Sequence, residues 1–404
     1  MKKHSVIVTS VMATLLLGLS AATWTKAPDL YSDSERRELA KKPVLSMETV
    51  LDGSFMEKFE SYTQDQFPFR EMFRSIKAQM VFEVLDQKDN NDIYVEEGHI
   101  SKLEYPLNTP MLDHAADRFN YLYETYLQDA NKLYLAIVPD KNYFLAKKHG
   151  YLTLDYPKFI HEMKDRVRYM EYLDVTHLLA LEDYYTTDTH WRQENLLDVA
   201  HFLLDKMNPE DRDHGGHLEP EKLTTEADST EKLSAEDTSV ENPATESLAE
   251  EHPYQVNQLD HPFYGVYYGQ SALPMDPDAI QYLTSDLLDQ CIVISYDTGV
   301  PVEIPMYDME KATGKDPYEM FLSGTRAILT IENPMAEEVK ELIVFRDSFG
   351  SSLIPLLMEE YSKITVLDIR YVNSSILGQY VDFGNQDVLF LYSTMMLNNS
   401  LALK

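Results

Sequence analysis

Short apolar runs that stop abruptly at polar residues constrain the fold of this 404-residue chain more than any other feature of its sequence. Their length and their abrupt polar ends are typical of buried strands. Amphipathic helical patterns lie between several runs, so the sequence predicts an α/β fold with a mostly parallel sheet and helices on both faces. The last three runs with their crossovers predict a βαβ series. The runs occupy residues 133–138, 173–175, 291–294, 327–331, 342–345, 364–367 and 388–391.

The helices are expected where apolar residues recur every three or four positions. Thr109 and Pro110 open one of them, as N-cap and first helical residue. Others are expected at about 157–172, 193–207 and 351–361. Two earlier amphipathic patterns are carried by Phe55, Phe59 and Tyr62 and by Met72, Phe73, Ile76 and Met80.

The N-terminus predicts export. Lys2 and Lys3 precede an uncharged apolar stretch up to Thr25, with small residues at 20–22, as in a signal peptide. The stretch is also about long enough to span a bilayer once. The positive-inside rule places the lysines in the cytoplasm, so the rest of the chain is expected on the extracellular face of the cell membrane or secreted. Residues 1–25 are therefore expected to be a signal peptide or a membrane anchor, and contact with the membrane is expected only there.

The composition of the chain disfavours some binding partners and excludes some structural features. The chain has 68 acidic and 35 basic residues, for a formal net charge of −33, which disfavours nucleic acid and a basic membrane-binding patch. A single cysteine, Cys291, excludes an intramolecular disulfide and a thiolate zinc cluster. Residues 209–252 hold fourteen acidic residues, three basic ones and no aromatic, which predicts a disordered acidic insertion. It divides one large domain into parts at 26–208 and 253–404.

A candidate nucleophile follows the run at 342–345. Arg346-Asp347-Ser348-Phe349-Gly350 links a strand to a helix, at the sheet edge where open α/β folds place their sites. Backbone N–H groups at such a helix start can stabilise an oxyanion. The alternative is that Asp347 or Ser348 only caps the helix, since both residue types are preferred N-caps.

A candidate base lies in Thr187-Asp188-Thr189-His190-Trp191. A neutral histidine activates a serine when an acceptor holds its other ring nitrogen, and Asp188 can do this from the same loop. Trp191 is a candidate to shield the imidazole from water. The alternatives are that Asp188 caps the following helix, or that Asp188 and His190 bind a metal with His177 or His201, for which the spacing is not tight.

Together the two motifs supply an orienting acid, a base and a nucleophile in the order Asp188, His190, Ser348. The chain here resembles the DHHW proteins, which belong with the alginate O-acetyltransferase-like branch of the SGNH hydrolase superfamily. The motif that names the family is Asp-His-His-Trp. In this chain Thr189 takes the second position of that motif, as in the alginate-type branch. Supporting similarity lies at residues 34–40, 66–70, 138–142, 316–322 and 367–371.

The resemblance implies a three-layer, flavodoxin-like SGNH fold and an exported O-acyltransferase, of acetyl groups above all, or an esterase. It implies that Ser348 is the nucleophile and that His190 and Asp188 supply base and acid. The substrate expected from it is a cell-surface polysaccharide, with a membrane-bound protein as acyl donor and with no cofactor.

Two features leave a second hypothesis open. Arg346 replaces the glycine usual before Asp-Ser, and the nearest later candidates for oxyanion donors, Gly378, Asn398 and Asn399, lie far along the chain. The alternative is a non-catalytic surface protein that keeps the fold for polysaccharide binding or assembly. Lys141 and Arg370 follow strand ends and are expected either in structural ion pairs or at the substrate.

Overall fold

A computed structural model describes residues 2–130, 132–208, 254–336 and 338–404. The predicted insertion at 209–252 lies outside these residues. The centre of the fold is an eight-stranded sheet; seven of its strands overlap the predicted runs, and the eighth, Val302–Ile304, was not predicted. Its strands, β1 to β8 in chain order, are Leu133–Val138, Glu171–Leu173, Ile292–Ser295, Val302–Ile304, Ile328–Glu332, Glu341–Arg346, Lys363–Leu367 and Asp387–Ser393.

Five of these strands form a parallel block. The sheet order is β4-β3-β5-β7-β6-β8-β1-β2, and the pairs from β7 to β2 are all parallel. The last three strands β6, β7 and β8 lie side by side, which confirms the predicted βαβ series. The remaining strands β5, β3 and β4 extend the sheet in antiparallel fashion. The sheet is thus mostly parallel, and the carboxyl ends of its parallel strands share one edge.

Helices cover both faces of the sheet, so the fold has the predicted three layers. Alternate strand residues point to opposite faces. In β6, Leu342 and Val344 belong to one apolar cluster and Ile343 and Phe345 to the other. The α-helices, α1 to α13 in chain order, are Lys2–Thr25, Met47–Leu51, Ser54–Asp65, Arg70–Gln79, Thr109–Tyr126, Lys141–His149, Tyr156–Arg166, Leu197–Met207, Val266–Ser271, Asp286–Gln290, Met309–Ala312, Gly350–Leu353 and Thr394–Asn398.

The helix layers are built from amphipathic faces. On one side α8, α12 and the 3₁₀ turn that continues α12 bury leucine side chains against the sheet. On the other side α5 and α7 bury leucine and aromatic side chains against the sheet, with Leu112, Phe119 and Phe159 fully buried. Each such side chain stabilises the fold by roughly 1.5–3 kcal/mol relative to exposure.

Three short antiparallel pairs flank the sheet. They place loops near its carboxyl edge and are formed by Tyr31–Ser32 with Arg37–Glu38, Ile93–Glu96 with His99–Lys102, and Gln255–Phe263 with Asp278–Thr284.

Several element boundaries differ from the expectations. The helix expected at 157–172 ends at Arg166, because the strand expected at 173–175 begins earlier, at Glu171. The helix expected at 351–361 is α-helical only to Leu353 and continues as a 3₁₀ helix at Ile354–Glu359. Pro355 explains the change, since it has no N–H for the α-helical bond. Asn108, not Thr109, is the N-cap of α5.

The N-terminal helix α1 stands apart from the sheet. Its stretch His4–Thr25 is long and apolar enough to cross a membrane, and none of it is buried in the rest of the protein. It is the one such helix in the ranges the structure describes. A signal peptide or an anchor both fit this helix.

Candidate active site

Ser348 lies in the turn between β6 and α12, at the carboxyl edge of the parallel strands. The carboxylate of Asp347 shapes this turn: Oδ1 accepts the N–H of Phe349 at 3.0 Å, and Oδ2 accepts the N–H and hydroxyl of Ser393 at 2.8 and 2.6 Å. Asp347 therefore fixes the turn to the neighbouring strand β8. The Ser348 hydroxyl does not cap α12 and is left for another partner.

Arg346 is buried beneath the turn. Its guanidinium donates to the carbonyl oxygens of Asp347 and Gly324, both at 3.3 Å, and lies 3.6 Å from the Asp368 carboxylate. Burial lowers its pKa, and Asp368 opposes that shift. A Cβ on Gly350 would come within 2.9 Å of the Arg346 Cβ. The glycine thus lets the turn close tightly over the arginine.

His190 connects the two predicted motifs. Its Nε2 lies 2.8 Å from the Ser348 hydroxyl oxygen, and its Nδ1 lies 2.6 Å from Asp188 Oδ1. The same carboxylate oxygen accepts the backbone N–H of His190 at 3.0 Å. Because Asp188 accepts only, Nδ1 carries the proton and Nε2 is free to accept the serine proton. These three side chains are called the serine relay below.

Asp188 is fully buried and nevertheless ionised. Burial acts to raise its pKa, but the adjacent imidazole, Arg36 and the backbone N–H of Val266 together hold the pKa well below its usual range. The Val266 N–H donates to Oδ2 at 2.7 Å, and an Arg36 nitrogen lies 3.9 Å from the same oxygen. Asp188 does not cap either of the helical segments that follow, whose N-cap positions are Arg192 and Leu196.

The approach of Val266 depends on Gly265. A Cβ at this position would come within 2.4 Å of both the Asp188 Cβ and the Thr187 carbonyl oxygen. The Gly265 N–H also donates to the Thr187 hydroxyl at 3.0 Å. Only a residue without a side chain brings α9 this close to the aspartate.

Aromatic rings enclose the imidazole. Tyr318 stacks on His190, with ring centroids 3.9 Å apart and planes 9° from parallel, and Phe349 lies at 5.1 Å. Trp191, expected to shield the histidine, serves the serine turn instead. Its indole N–H donates to the Phe349 carbonyl oxygen and to the Ser352 hydroxyl, each at 3.0 Å. The tryptophan thus ties the histidine loop to the turn that carries Ser348.

Arg36 is a site residue that the motifs alone do not reveal. It reaches the site from the N-terminal segment, pairs with Asp316 at 2.5 Å and donates to the Tyr264 carbonyl oxygen at 2.9 Å. Asp316 in turn caps the short helix that carries Tyr318, through the Tyr318 N–H at 3.3 Å. The only signal in the sequence is that Arg36 and Asp316 lie in segments that resemble the DHHW proteins.

The two cations expected at strand ends have structural partners. Lys141 is buried, donates to the carbonyl oxygens of Tyr185 and Thr186 at 2.9 and 3.1 Å, and has its pKa lowered to about 7 by burial. It thereby supports the loop that leads to Asp188. Arg370 makes a two-point contact with Asp368, at 2.8 and 2.6 Å.

The later oxyanion candidates point elsewhere. The Asn398 side-chain amide donates to a Glu104 oxygen at 2.7 Å and to the Pro106 carbonyl at 3.1 Å. The Asn399 amide shares the same Glu104 oxygen at 2.9 Å, and Gly378 lies against the Tyr126 ring.

The metal alternative gains no geometric support. His177 packs edge-on against Phe202, and His201 lies 3.6 Å from Glu359. Over residues 2–130, 132–208, 254–336 and 338–404, no three His, Cys, Asp or Glu side chains are grouped to hold a metal ion.

This architecture is a three-layer α/β fold with a serine directly after a central parallel strand. Among solved structures, a DHHW family protein from Eubacterium siraeum matches 78% of this chain and 94% of its own, with a TM-score of 0.52 and 17% identity. Bacillus cereus PatB1 with a sulfonyl adduct matches 76% of this chain and 97% of its own, with a TM-score of 0.55 and 17% identity. The fold resemblance to DHHW proteins is thus confirmed.

A further match is the O-acetyltransferase domain of Pseudomonas putida AlgJ, with a TM-score of 0.42 and 11% identity over 76% of this chain and 93% of that domain. No protein-family model and no curated protein matches the sequence.

Proposed function

We propose that this protein is an exported serine O-acyltransferase, of acetyl groups above all, that acts on a cell-surface polysaccharide. The observation that carries the proposal is the serine relay, in which Ser348, His190 and Asp188 are joined by hydrogen bonds of 2.8 and 2.6 Å. Such contacts meet the distance required of a nucleophile and its base. The export signal and the motif resemblance support the location and the substrate class.

The relay supplies a complete acyl transfer. As the Ser348 oxygen attacks the acyl carbonyl carbon, its proton passes to His190 Nε2. The protonated imidazole is stabilised by Asp188 and then gives the proton to the departing alcohol, which leaves an acyl ester on Ser348. A sugar hydroxyl next loses its proton to His190 and attacks that ester. The product is an acylated sugar, and His190 returns the proton to Ser348.

Water in place of the sugar would make the same relay an esterase. The motif resemblance favours transfer, and it also favours a membrane-bound protein as the donor of acyl groups outside the cell. The relay needs no cofactor for either outcome, because every proton in it moves between Ser348, His190 and the substrate oxygens.

The alternative of a non-catalytic binding protein is less well supported. That hypothesis expects the serine and histidine side chains to be parted, whereas they lie at hydrogen-bond distance. A binding protein would also have no need of a buried, ionised Asp188 behind the imidazole.

Labelling by a fluorophosphonate probe and acetyl release from a chromogenic ester test the proposal. We expect Ser348→Ala to abolish labelling, and we expect Ser348→Ala and His190→Ala each to lower ester cleavage by about 10⁶-fold, as when the serine or histidine of a triad is removed. Ser375→Ala is the matched control, because Ser375 is exposed and bonded only to the neighbouring Asn373. Equal labelling of Ser348→Ala and the unmodified protein would contradict the mechanism.

The acceptor is tested separately. An acetyl-enzyme on Ser348 should be detectable by mass spectrometry after brief exposure to the ester. Adding an oligosaccharide should then speed its loss and yield an acetylated sugar. Loss at the same rate with and without the sugar would instead assign hydrolysis.

A further inference from the structure

Helix α4 is amphipathic, but its apolar face points away from the protein core, whereas an ordinary surface helix turns that face inward. Phe69 at its start and Met72, Phe73, Ile76 and Met80 lie on one side, and between 39% and 68% of each side chain is exposed. In a globular protein such an apolar face normally packs against the core. Here it faces outward.

The polar side of α4 holds the helix on the protein. Arg70 pairs with Glu35 at 2.6 Å, and Arg74 donates to the carbonyl oxygens of Gly269 and Gln270 at 2.8 and 3.2 Å. These contacts fix which way the helix faces. The outward apolar side is therefore a consequence of specific polar contacts, and it has to be covered by something other than this domain.

The two preceding helices also expose apolar side chains. On α2, Met47, Val50 and Leu51 share one side and are exposed, and Met56 on α3 is exposed as well. Monomeric soluble proteins rarely leave contiguous apolar patches of more than a few hundred Å² open to water. We call these four side chains, together with Phe69, Met72, Phe73, Ile76 and Met80 on α4 and at its two ends, the apolar rim.

The rim lies beside the exit of helix α1. Trp24, near the end of α1, contacts the Phe59 ring of α3 with centroids 6.2 Å apart, and Lys42 lies over the Trp24 ring. Tryptophan is enriched where a membrane span leaves the hydrocarbon core. Helix α3, which carries Phe59 and lies between α2 and α4 in the chain, is thus placed at the level where α1 leaves the bilayer.

We infer that the apolar rim lies on the outer leaflet of the membrane and holds the catalytic domain against it. The inference rests on the membrane location in the proposed function. It fits the acidity of the chain, because contact is made by apolar burial and needs no cationic face. Interfacial helices of this kind sink roughly 5–10 Å into the headgroup and acyl boundary. Besides α1, the domain would then have a second, peripheral membrane contact.

Lipid-borne quenchers test this in the full-length chain. In a Cys291→Ser background, an environment-sensitive fluorophore is placed at Met72→Cys or Ile76→Cys, and the protein is reconstituted in phosphatidylcholine vesicles with nitroxide on some acyl chains. Val300→Cys and Val339→Cys are matched controls, since both are exposed valines outside the rim. We expect quenching at the rim sites to be several-fold greater than at the controls.

A label at Leu16→Cys in α1 distinguishes anchoring by α1, which belongs to the proposed function, from membrane contact by the apolar rim, which is the further inference. Quenching at Leu16 and at the rim supports the inference. Quenching at Leu16 with rim sites no more quenched than Val300 overturns it and leaves the membrane anchor standing. Crosslinking between two copies through rim sites that lipid does not quench overturns it in favour of self-association. None of these readouts depends on acyl transfer, so Ser348→Ala should give the same pattern.

Discussion

At the residue scale, the chemistry depends on how Asp188 is kept charged. Sequence motifs predict the three members of the serine relay because each has a reactive group at a recognisable spacing. The motifs do not predict Arg36 and Tyr318, because these two residues act through contacts that form only in the folded chain. The sequence could therefore predict the serine relay, with Asp188 as its orienting acid, but not Arg36 and Tyr318, which position the relay from outside it.

The depressed pKa of Asp188 makes a prediction about stability and pH. In the native state this carboxyl binds a proton less readily than in the unfolded chain. Its stabilising contribution is thus complete above the unfolded pKa of about 4 and is lost as the pH falls below that value. We expect Asp188→Asn to be less stable than the unmodified protein at pH 7, with a difference that shrinks between pH 5 and pH 3. Urea unfolding at each pH measures this, and a constant difference would contradict it.

Tyr318 is a positioning residue for the imidazole. Tyr318→Phe keeps the stacked ring and loses the hydroxyl's contacts to the Ser352 hydroxyl at 2.9 Å and to the Ser348 carbonyl oxygen at 3.4 Å, so activity should change little. Tyr318→Leu removes the stack, which is worth about 1 kcal/mol, and kcat should fall roughly fivefold. Esterase assays on both variants, with stability checked by thermal unfolding, distinguish positioning from folding. Equal loss in the two variants would assign the effect to the hydroxyl.

At the element scale, the close packing of α9 on the Asp188 loop constrains the active site. Gly265→Ala would force a Cβ to within 2.4 Å of backbone and side-chain atoms there. We expect a loss of roughly 1–3 kcal/mol of stability and a large fall in kcat, because Asp188 must shift. Gly384→Ala is the control, since its Cβ would meet only the Gln386 side chain, at 3.7 Å. An active, stable Gly265→Ala protein would mean that the loop can move freely.

The elements themselves were partly predictable. Apolar runs located the parallel strands β1, β6, β7 and β8, because buried strands must be apolar on both faces. The half-exposed edge strand β2 shares only Leu173 with its prediction, and the exposed edge strand β4 was missed. The antiparallel direction of β3 and β5 could not be read, since an apolar run looks the same in a parallel and an antiparallel pair. The outward orientation of α4 could not be predicted for a similar reason. A helical pattern predicts that the helix has an apolar face, but it does not predict what that face contacts.

At the scale of the whole molecule, the segment at 209–252 remains a prediction. It carries 14 acidic and 3 basic residues and thus 11 of the 33 net negative charges. Its composition predicts a solvated spacer, so exchange of residues 211–250 for a short Gly-Ser linker should leave the unfolding midpoint and ester cleavage unchanged. Loss of polysaccharide acylation alone, with intact ester cleavage, would instead assign the segment to partner binding.

The relay joins His190 to a serine 158 positions further along the chain. During synthesis and translocation, the histidine loop emerges long before its nucleophile, and strand β6 has to complete the sheet before the two can meet. A chain interrupted anywhere ahead of Ser348 would be chemically inert rather than partly active. Reactivity therefore arises late, after nearly the entire polypeptide has been delivered to the compartment in which it folds.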